Sequence, residues 1–370
     1  MNDLGTRGYW TALAAWCVMA LLTIGCSGSR PKISDSAVTG GGSTFAAPII
    51  KTWAEQYHKR HADVDIHYES IGSGEGEKRF IEGSIDFGGT DAGLSEAALS
   101  SVEGGAIQIP ITAGIIVLAY NPEGLPAKLN LPRDVYVDAF LGKETRWNDP
   151  RIQEANPGKK LPDQPIHVIV RQDSSGTTFA FTNHLAAIND EWADQFGSNP
   201  SDASRGRGVK VLDWPGAAMS ASGNSGVAGR IKQTPYSIGY VQYGAAREVG
   251  LGMAALENKA GNYVAPSGTS GLETLLNAEL PDNLLAYVPD PSGEYSYPIV
   301  TFTWILLRKQ YADDAQTERV KSFIQWCLTS GQDYAEAAGN VRLAPHVIRA
   351  SESKLESMKV ASQDSFVQTP

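Results

Sequence analysis

Three times along this chain a strand-like apolar run breaks into Gly, Ser and Thr and passes directly into a helical stripe. This recurrence restricts the fold more than any other feature. In the middle of the chain, Ile166–Val170 alternates as a buried strand, Arg171-Gln172-Asp173-Ser174-Ser175-Gly176-Thr177-Thr178 follows, and Phe179, Phe181, Leu185 and Ile188 mark one helix face. Nearer the start, Val38-Thr39-Gly40-Gly41-Gly42-Ser43-Thr44-Phe45 leads into Ile49, Ile50, Trp53 and Tyr57, with Pro48 in the first turn, where its missing N–H costs little. Between them, Asp65–Glu69 runs through Ser70-Ile71-Gly72-Ser73 to Phe80 and Ile81. Each unit sets small hydroxylated residues on the first turn of a helix, where free N–H groups and the helix dipole favour an anion. Arg171 adds a planar fork of donors. Any one of these stretches reads equally well as a capped helix after a core strand; the repetition points to an anion seat.

With 370 residues the chain has room for two domains, and 42% hydrophobic residues with 38 glycines fit a turn-rich globular protein. A net charge of −10 argues against a nucleic-acid partner. An acidic protein still binds an anion where donors are local. Tyr9–Ile24 is a nearly unbroken apolar run, short for a membrane span and right for the core of a signal peptide covering 1–25. It ends at Leu22-Thr23-Ile24-Gly25-Cys26, which resembles a lipoprotein cleavage box, so Cys26 is the expected lipidation site and 26–37 a Ser-rich tether. The alternative is an ordinary secretory signal with an incidental cysteine. With Cys17 lost in the leader and Cys26 lipidated, Cys327 would be the one cysteine left, in an apolar helical stripe that reads as core.

Alternating strands and helices argue for parallel α/β sheets. Ile85–Thr90 is a short strand that would leave Asp91 at its carboxyl end, where open α/β sheets bind ligands. Ile107–Tyr120, interrupted by Pro110 and Gly114, reads as two strand segments joined by a crossing between domains. Leu131–Asn148 reads as one or two short helices, and Gly206–Trp214 as glycine-rich and then strand-like. Ser222–Val227 opens a further helix, and Ile238–Val241 is a strand. A helix is expected at 268–278, a returning strand at Tyr297–Leu307, and a helix over 315–330 ending at Gly331 as its C′ residue. The crossings give lobe 1 as 38–112 plus 298–370 and lobe 2 as 113–297.

Thr39–Pro48, Ile71-Gly72-Ser73-Gly74, Asp86–Asp91, Arg171-x-Asp173-x-Ser175-Gly176-Thr177 and Ile238–Val241, in this order, resemble the periplasmic phosphate-binding protein family, the receptors of phosphate ABC transporters. The resemblance implies a two-lobed α/β periplasmic binding protein fold with a hinge and an interdomain cleft. It implies phosphate contacts at Thr44, Phe45 (through its backbone N–H), Ser73, Asp91, Arg171, Ser175, Gly176 and Thr177. Asp173 would hold the fork of Arg171. The chain departs from the family pattern at Gly74-Glu75-Gly76, which sets an acid near the anion.

The expected protein is a monomer on the extracytoplasmic face, lipid-anchored at Cys26, that binds phosphate without cofactor, metal or covalent chemistry and delivers it to a membrane permease. Asp91 would accept a hydrogen bond from a proton on the bound anion and so reject sulfate, which carries none. Two rivals remain at this level: a secreted phosphatase with Ser175 as nucleophile, and a binder of another tetrahedral oxyanion. The phosphatase needs a base or metal beside the serine, and no zinc-hydrolase or Walker motif is present. His58 and His61, three apart on a helix, fit a solvated helix end.

Overall fold

The computed structural model describes residues 37–198, 206–276 and 278–358. The expected signal segment, Cys26 and nearly all of the tether lie outside the described residues. The strands are β1 (Val38–Gly42), β2 (Ile66–Ser70), β3 (Phe87–Thr90), β4 (Ala106–Tyr120), β5 (Asn130–Leu131), β6 (His167–Arg171), β7 (Met219–Ala221), β8 (Ser237–Gln242), β9 (Gly252–Met253), β10 (Ala255–Glu257), β11 (Tyr263–Val264) and β12 (Val300–Arg308). Their principal sheet has the order β2-β1-β3-β12-β4-β8-β6-β7, with β9 on the end of β4, and β11-β10-β5 form a small separate sheet. Strands β1, β2 and β3 are mutually parallel, as are β6, β7 and β8.

β4 is the axis of the sheet. Its first part, to Ile115, pairs antiparallel with β12, and Ile116–Tyr120 pairs antiparallel with β8. The sequence predicts two segments here; the structure has one strand of 15 residues, buried throughout. Pro110 is tolerated because the ladder shifts register beside it. Thr303 pairs with Thr112 and Trp304 with Pro110, leaving Ile111 as the extra residue of a bulge. The carbonyls at this point find other donors: Gln332 Nε2 reaches Ile111 O and Ser351 Oγ reaches Pro110 O, both at 3.0 Å. A side-chain-capped bulge thus replaces the expected break.

Helices cover the sheet where the apolar stripes place them. Ala47–His58 buries Ile49, Ile50, Trp53 and Tyr57. Gly176–Ile188 buries Phe179, Phe181 and Leu185, and Phe181 stacks on Tyr240 at 4.5 Å between centroids. Asp314–Leu328 buries Cys327. Two local expectations fail. Gly206–Trp214 forms no strand, because its backbone pairs with a helix instead: Val209 N–H donates to Thr182 Oγ1 at 2.9 Å, and Lys210 O accepts the N–H of the helix-capping Ser175 at 3.0 Å. Gly331 is not a helix C′ residue, since the helix stops at Leu328 and Gly331 lies in the 3-10 turn Ser330–Tyr334. Its role is close approach, because Trp53 Nε1 donates to Gly331 O at 2.6 Å and a Cβ there would lie 2.9 Å from the same nitrogen.

Gly114, in the middle of β4, faces the buried ring of Phe45, and an added Cβ would lie 2.7 Å from two ring carbons. Gly114→Ala is expected to lower the unfolding free energy by about 1–3 kcal/mol through overpacking, read as a lower denaturant midpoint at constant slope. Gly229→Ala is its contrast: a helical position with nothing within 4 Å of the added methyl, expected to stabilise by about 0.5–1 kcal/mol.

Candidate functional site

The carboxyl ends of β1, β2 and β3 lie level, Gly42 opposite Ser70 and Gly89, so the turns after them emerge together. Gly42 has φ +134°, and a Cβ there would lie 2.1 Å from Gly89 O; only glycine fits. Ser43 follows, fully buried. Its Oγ accepts the N–H groups of Phe45 and Ala46, both at 3.1 Å, and donates to Asp91 Oδ1 at 2.7 Å. Thr303, delivered by β12 alongside β3, donates to the same Oδ1 at 2.6 Å. Ser73 opens the helix Ser73–Ile81, and its Oγ accepts the Asp91 N–H at 3.3 Å. Asp91 is thus held at Oδ1 and at its backbone, and Oδ2 accepts no hydrogen bond from the described residues.

The other half of the sheet supplies Arg171, the last residue of β6. Its side chain is 1% exposed and forked onto Asp173: Nε donates to Oδ1 at 2.7 Å and Nη2 donates to Oδ2. Nη1 reaches Thr177 Oγ1 at 3.3 Å. The Tyr240 hydroxyl fixes the base of this strand, accepting Arg171 N–H at 3.1 Å and bonding Thr178 Oγ1 at 2.8 Å. Ser175 caps the helix Gly176–Ile188, its Oγ accepting Thr178 N–H at 3.1 Å.

The two sets of turns meet. A Cβ on Gly176 would lie 2.6 Å from Ser73 Oγ and 2.7 Å from Asp91 N, so the helix of the second half ends directly on the first. Gly74 N–H donates to Ser174 O at 3.1 Å, and Lys210 pairs with Glu77, which also accepts Thr90 Oγ1 at 2.6 Å. Asn224 donates through Nδ2 to Thr44 Oγ1 at 3.0 Å and to Thr177 Oγ1 at 3.1 Å. The structure therefore brings Thr44, Ser73, Asp91, Arg171, Ser175, Gly176 and Thr177 to one crevice. The Phe45 N–H, the group expected at the anion, donates to Ser43 Oγ at 3.1 Å, and its side chain is in the core. Glu75 stands at the mouth of a cavity of about 510 Å³ beside Thr44, Asp173 and Asn224, where Arg79 Nε donates to it at 2.8 Å and offsets its charge. Ser43, Thr303 and Asn224 belong to the site, and the sequence reading missed all three. Ser43 and Asn224 stand in helix-opening turns that it did mark, whereas Thr303 carries no local signal.

Electrostatics separate the two aspartates. Burial pushes the Asp91 carboxyl up to about 6, against the opposing pull of the Thr303 and Ser43 hydrogen bonds and the Arg171 charge. Burial also pushes Asp173 up, but the Arg171 fork and the Gly223 N–H outweigh it and hold that carboxyl below its usual value.

Fold and site together are those of a two-lobed solute-binding protein, and residues 28–330 match the PBP superfamily domain. The chain is 35% identical to the phosphate-binding protein PstS of Haemophilus influenzae over 330 residues, 88% of this chain and 95% of that one. It is 35% identical to PstS of Methanocaldococcus jannaschii over 336 residues, 84% of each. Among solved structures, a high affinity periplasmic phosphate-binding protein with phosphate bound aligns at TM-score 0.67 and 21% identity, over 86% of this chain and 93% of that one. The phosphate-binding protein of Stenotrophomonas maltophilia aligns at TM-score 0.67 and 19% identity, over 86% and 94%. The chain belongs to the PstS family of phosphate-binding proteins within that superfamily.

The raised Asp91 pKa has a sign. The folded value of about 6 lies above the ordinary 3.8, so the folded protein binds the proton more tightly. Ionised Asp91 costs stability in full above about pH 6, and the cost fades as pH falls towards about 4. Asp91→Asn is therefore expected to stabilise the unliganded protein at pH 8 by on the order of 1–3 kcal/mol, with the gain shrinking by pH 4, in denaturant melts at the two pH values.

Proposed function

We propose that this protein is a receptor for inorganic phosphate that serves an ABC-type import permease, and that it binds without chemical turnover. The single observation carrying this is the convergence of Thr44, Ser73, Asp91, Arg171, Ser175 and Thr177 on one buried crevice of a PstS-family fold. The mechanism is replacement of a hydration shell. Each donor to a charged ligand contributes roughly 1.5–3 kcal/mol net. Several of them, less the cost of association and closure, support a Kd of about a micromolar or tighter. The lobes in this proposal are 38–112 with 298–370, and 113–297, and the hinge includes the point where β4 passes from β12 to β8. Because both lobes contribute ligand groups, binding favours the closed form, and the closed form is what the permease would read. The proposal extends to a monomer on the extracytoplasmic face, anchored through lipid at Cys26.

Asp91 sets selectivity. With Oδ1 taken by Ser43 and Thr303, Oδ2 is the acceptor left for a proton on the guest. Mono- and dibasic phosphate carry that proton at neutral pH and sulfate does not, so sulfate would set two acceptors face to face. In calorimetric titrations phosphate is expected to bind at about micromolar or better, and sulfate at least about a hundredfold more weakly. Asp91→Asn should erase most of that gap. Sulfate binding as tight as phosphate, or rapid hydrolysis of a chromogenic phosphate ester, overturns the assignment.

A further inference from the structure

Asn224 is 2% exposed and has every polar atom of its carboxamide engaged. Oδ1 accepts the Gln242 N–H at 2.8 Å, which fixes which end of the amide is the donor. Nδ2 then spans the cleft, giving one hydrogen to Thr44 Oγ1 at 3.0 Å and the other to Thr177 Oγ1 at 3.1 Å. Each hydroxyl oxygen also accepts a second donor: Thr44 takes the Asn224 backbone N–H at 3.3 Å, and Thr177 takes Arg171 Nη1 at 3.3 Å. A hydroxyl has two lone pairs and one hydrogen. With both lone pairs filled, Thr44 and Thr177 can only donate, and neither donates to any of the described residues.

The geometry points to Asn224 as the positioning residue that turns one hydroxyl from each lobe into an obligate donor to the bound anion, the Thr177 hydroxyl within its own lobe and the Thr44 hydroxyl only when the lobes are together. Apart from the protonated oxygen turned to Asp91, the anion offers acceptors, so a hydroxyl free to rotate would spend part of its time presenting a lone pair to one of them. Asn224 removes that orientation. Its reach to Thr44 exists only across the cleft, so closure and the aiming of the Thr44 hydroxyl are one event. This inference rests on the phosphate-receptor reading, and it adds a residue outside the set expected to touch the ligand.

The test is phosphate titration of the full-length protein and four sets of variants, with melts to confirm folding. Asn224→Ala is expected to weaken binding about thirtyfold. Asn224→Asp preserves shape and can still accept the Gln242 N–H, but its carboxylate accepts both threonine hydrogens and draws them off the anion; it should bind about tenfold more weakly again. A purely structural role predicts the opposite order, with the isosteric aspartate the milder change. In a Thr44→Val/Thr177→Val background the alanine change should cost less than about threefold, while in a Ser73→Ala background it keeps its full effect. Asn224→Asp binding more tightly than Asn224→Ala, or an undiminished alanine effect in the valine background, overturns the inference and leaves phosphate binding intact. A wild-type protein that takes up no phosphate sinks the receptor reading, and this inference with it.

Discussion

Arg171 is the constraint around which the crevice is built. A guanidinium never loses its proton, and this one is withdrawn from water, so it stands only while every face of it is matched. Asp173 takes two of its nitrogens, and Thr177 a third. The backbone beneath is pinned by Tyr240, whose ring is locked in the aromatic core against Phe181 and Phe140. Removing Asp173 would strand a buried cation, which elsewhere costs about 3–5 kcal/mol. The order of dependence runs from apolar packing, to the strand end, to the charge, to the donors arrayed around it.

Closure depends on absent side chains as much as on present ones. Gly72, Gly74 and Gly176 are among the points where the two halves touch, and at each a methyl would meet the other half at 3.0 Å or less. At Gly74 the obstacle would be Ser174 Oγ, at 2.0 Å. The Gly74-Glu75-Gly76 run, expected to differ from the family pattern, has its physical content here: with no side chain at 74, Ser174 packs against the turn and its carbonyl accepts the Gly74 N–H at 3.1 Å. The acid that came with it is answered locally, on the same helix, by Arg79.

Much of this was legible in the sequence, and the parts that were not share a cause. A strand, a small-residue turn and an apolar helix stripe are local patterns, so the three units could be read directly, while the Arg171–Asp173 pair came with the family resemblance. Thr303 could not, because it meets Asp91 only through the antiparallel pairing of β12 with β3, across more than half the chain. Asn224 sits in a recognised helix-opening turn, but its partners Thr44 and Thr177 belong to other units, and no sequence period links them. The break expected in β4 came from taking Pro110, which lacks a donor, and Gly114 as interruptions of the strand. The donor is not needed at a bulge, and Gln332 and Ser351 supply the neighbouring carbonyls from the C-terminal segment.

The formal charges closest to the seat are Arg171 at +1 and Asp173 and Asp91 at −1 each, and +1 − 1 − 1 leaves −1 before any anion arrives. The chain as a whole carries −10. Neither the local charge nor the overall field draws an anion in, so attraction has to come from dipoles. Those are plentiful: the helices Ala47–His58, Ser73–Ile81, Gly176–Ile188 and Gly223–Gln233 all begin at turns that line the crevice or its mouth. Dipoles aimed over a few ångströms act at contact, where dissolved ions do not enter, whereas a charged field acts at the range that salt screens. A seat of this kind discriminates by the direction of each hydrogen more than by the size of the charge. That is why a carboxylate can sit inside an anion site, and why the orientation of two threonine hydroxyls matters to it.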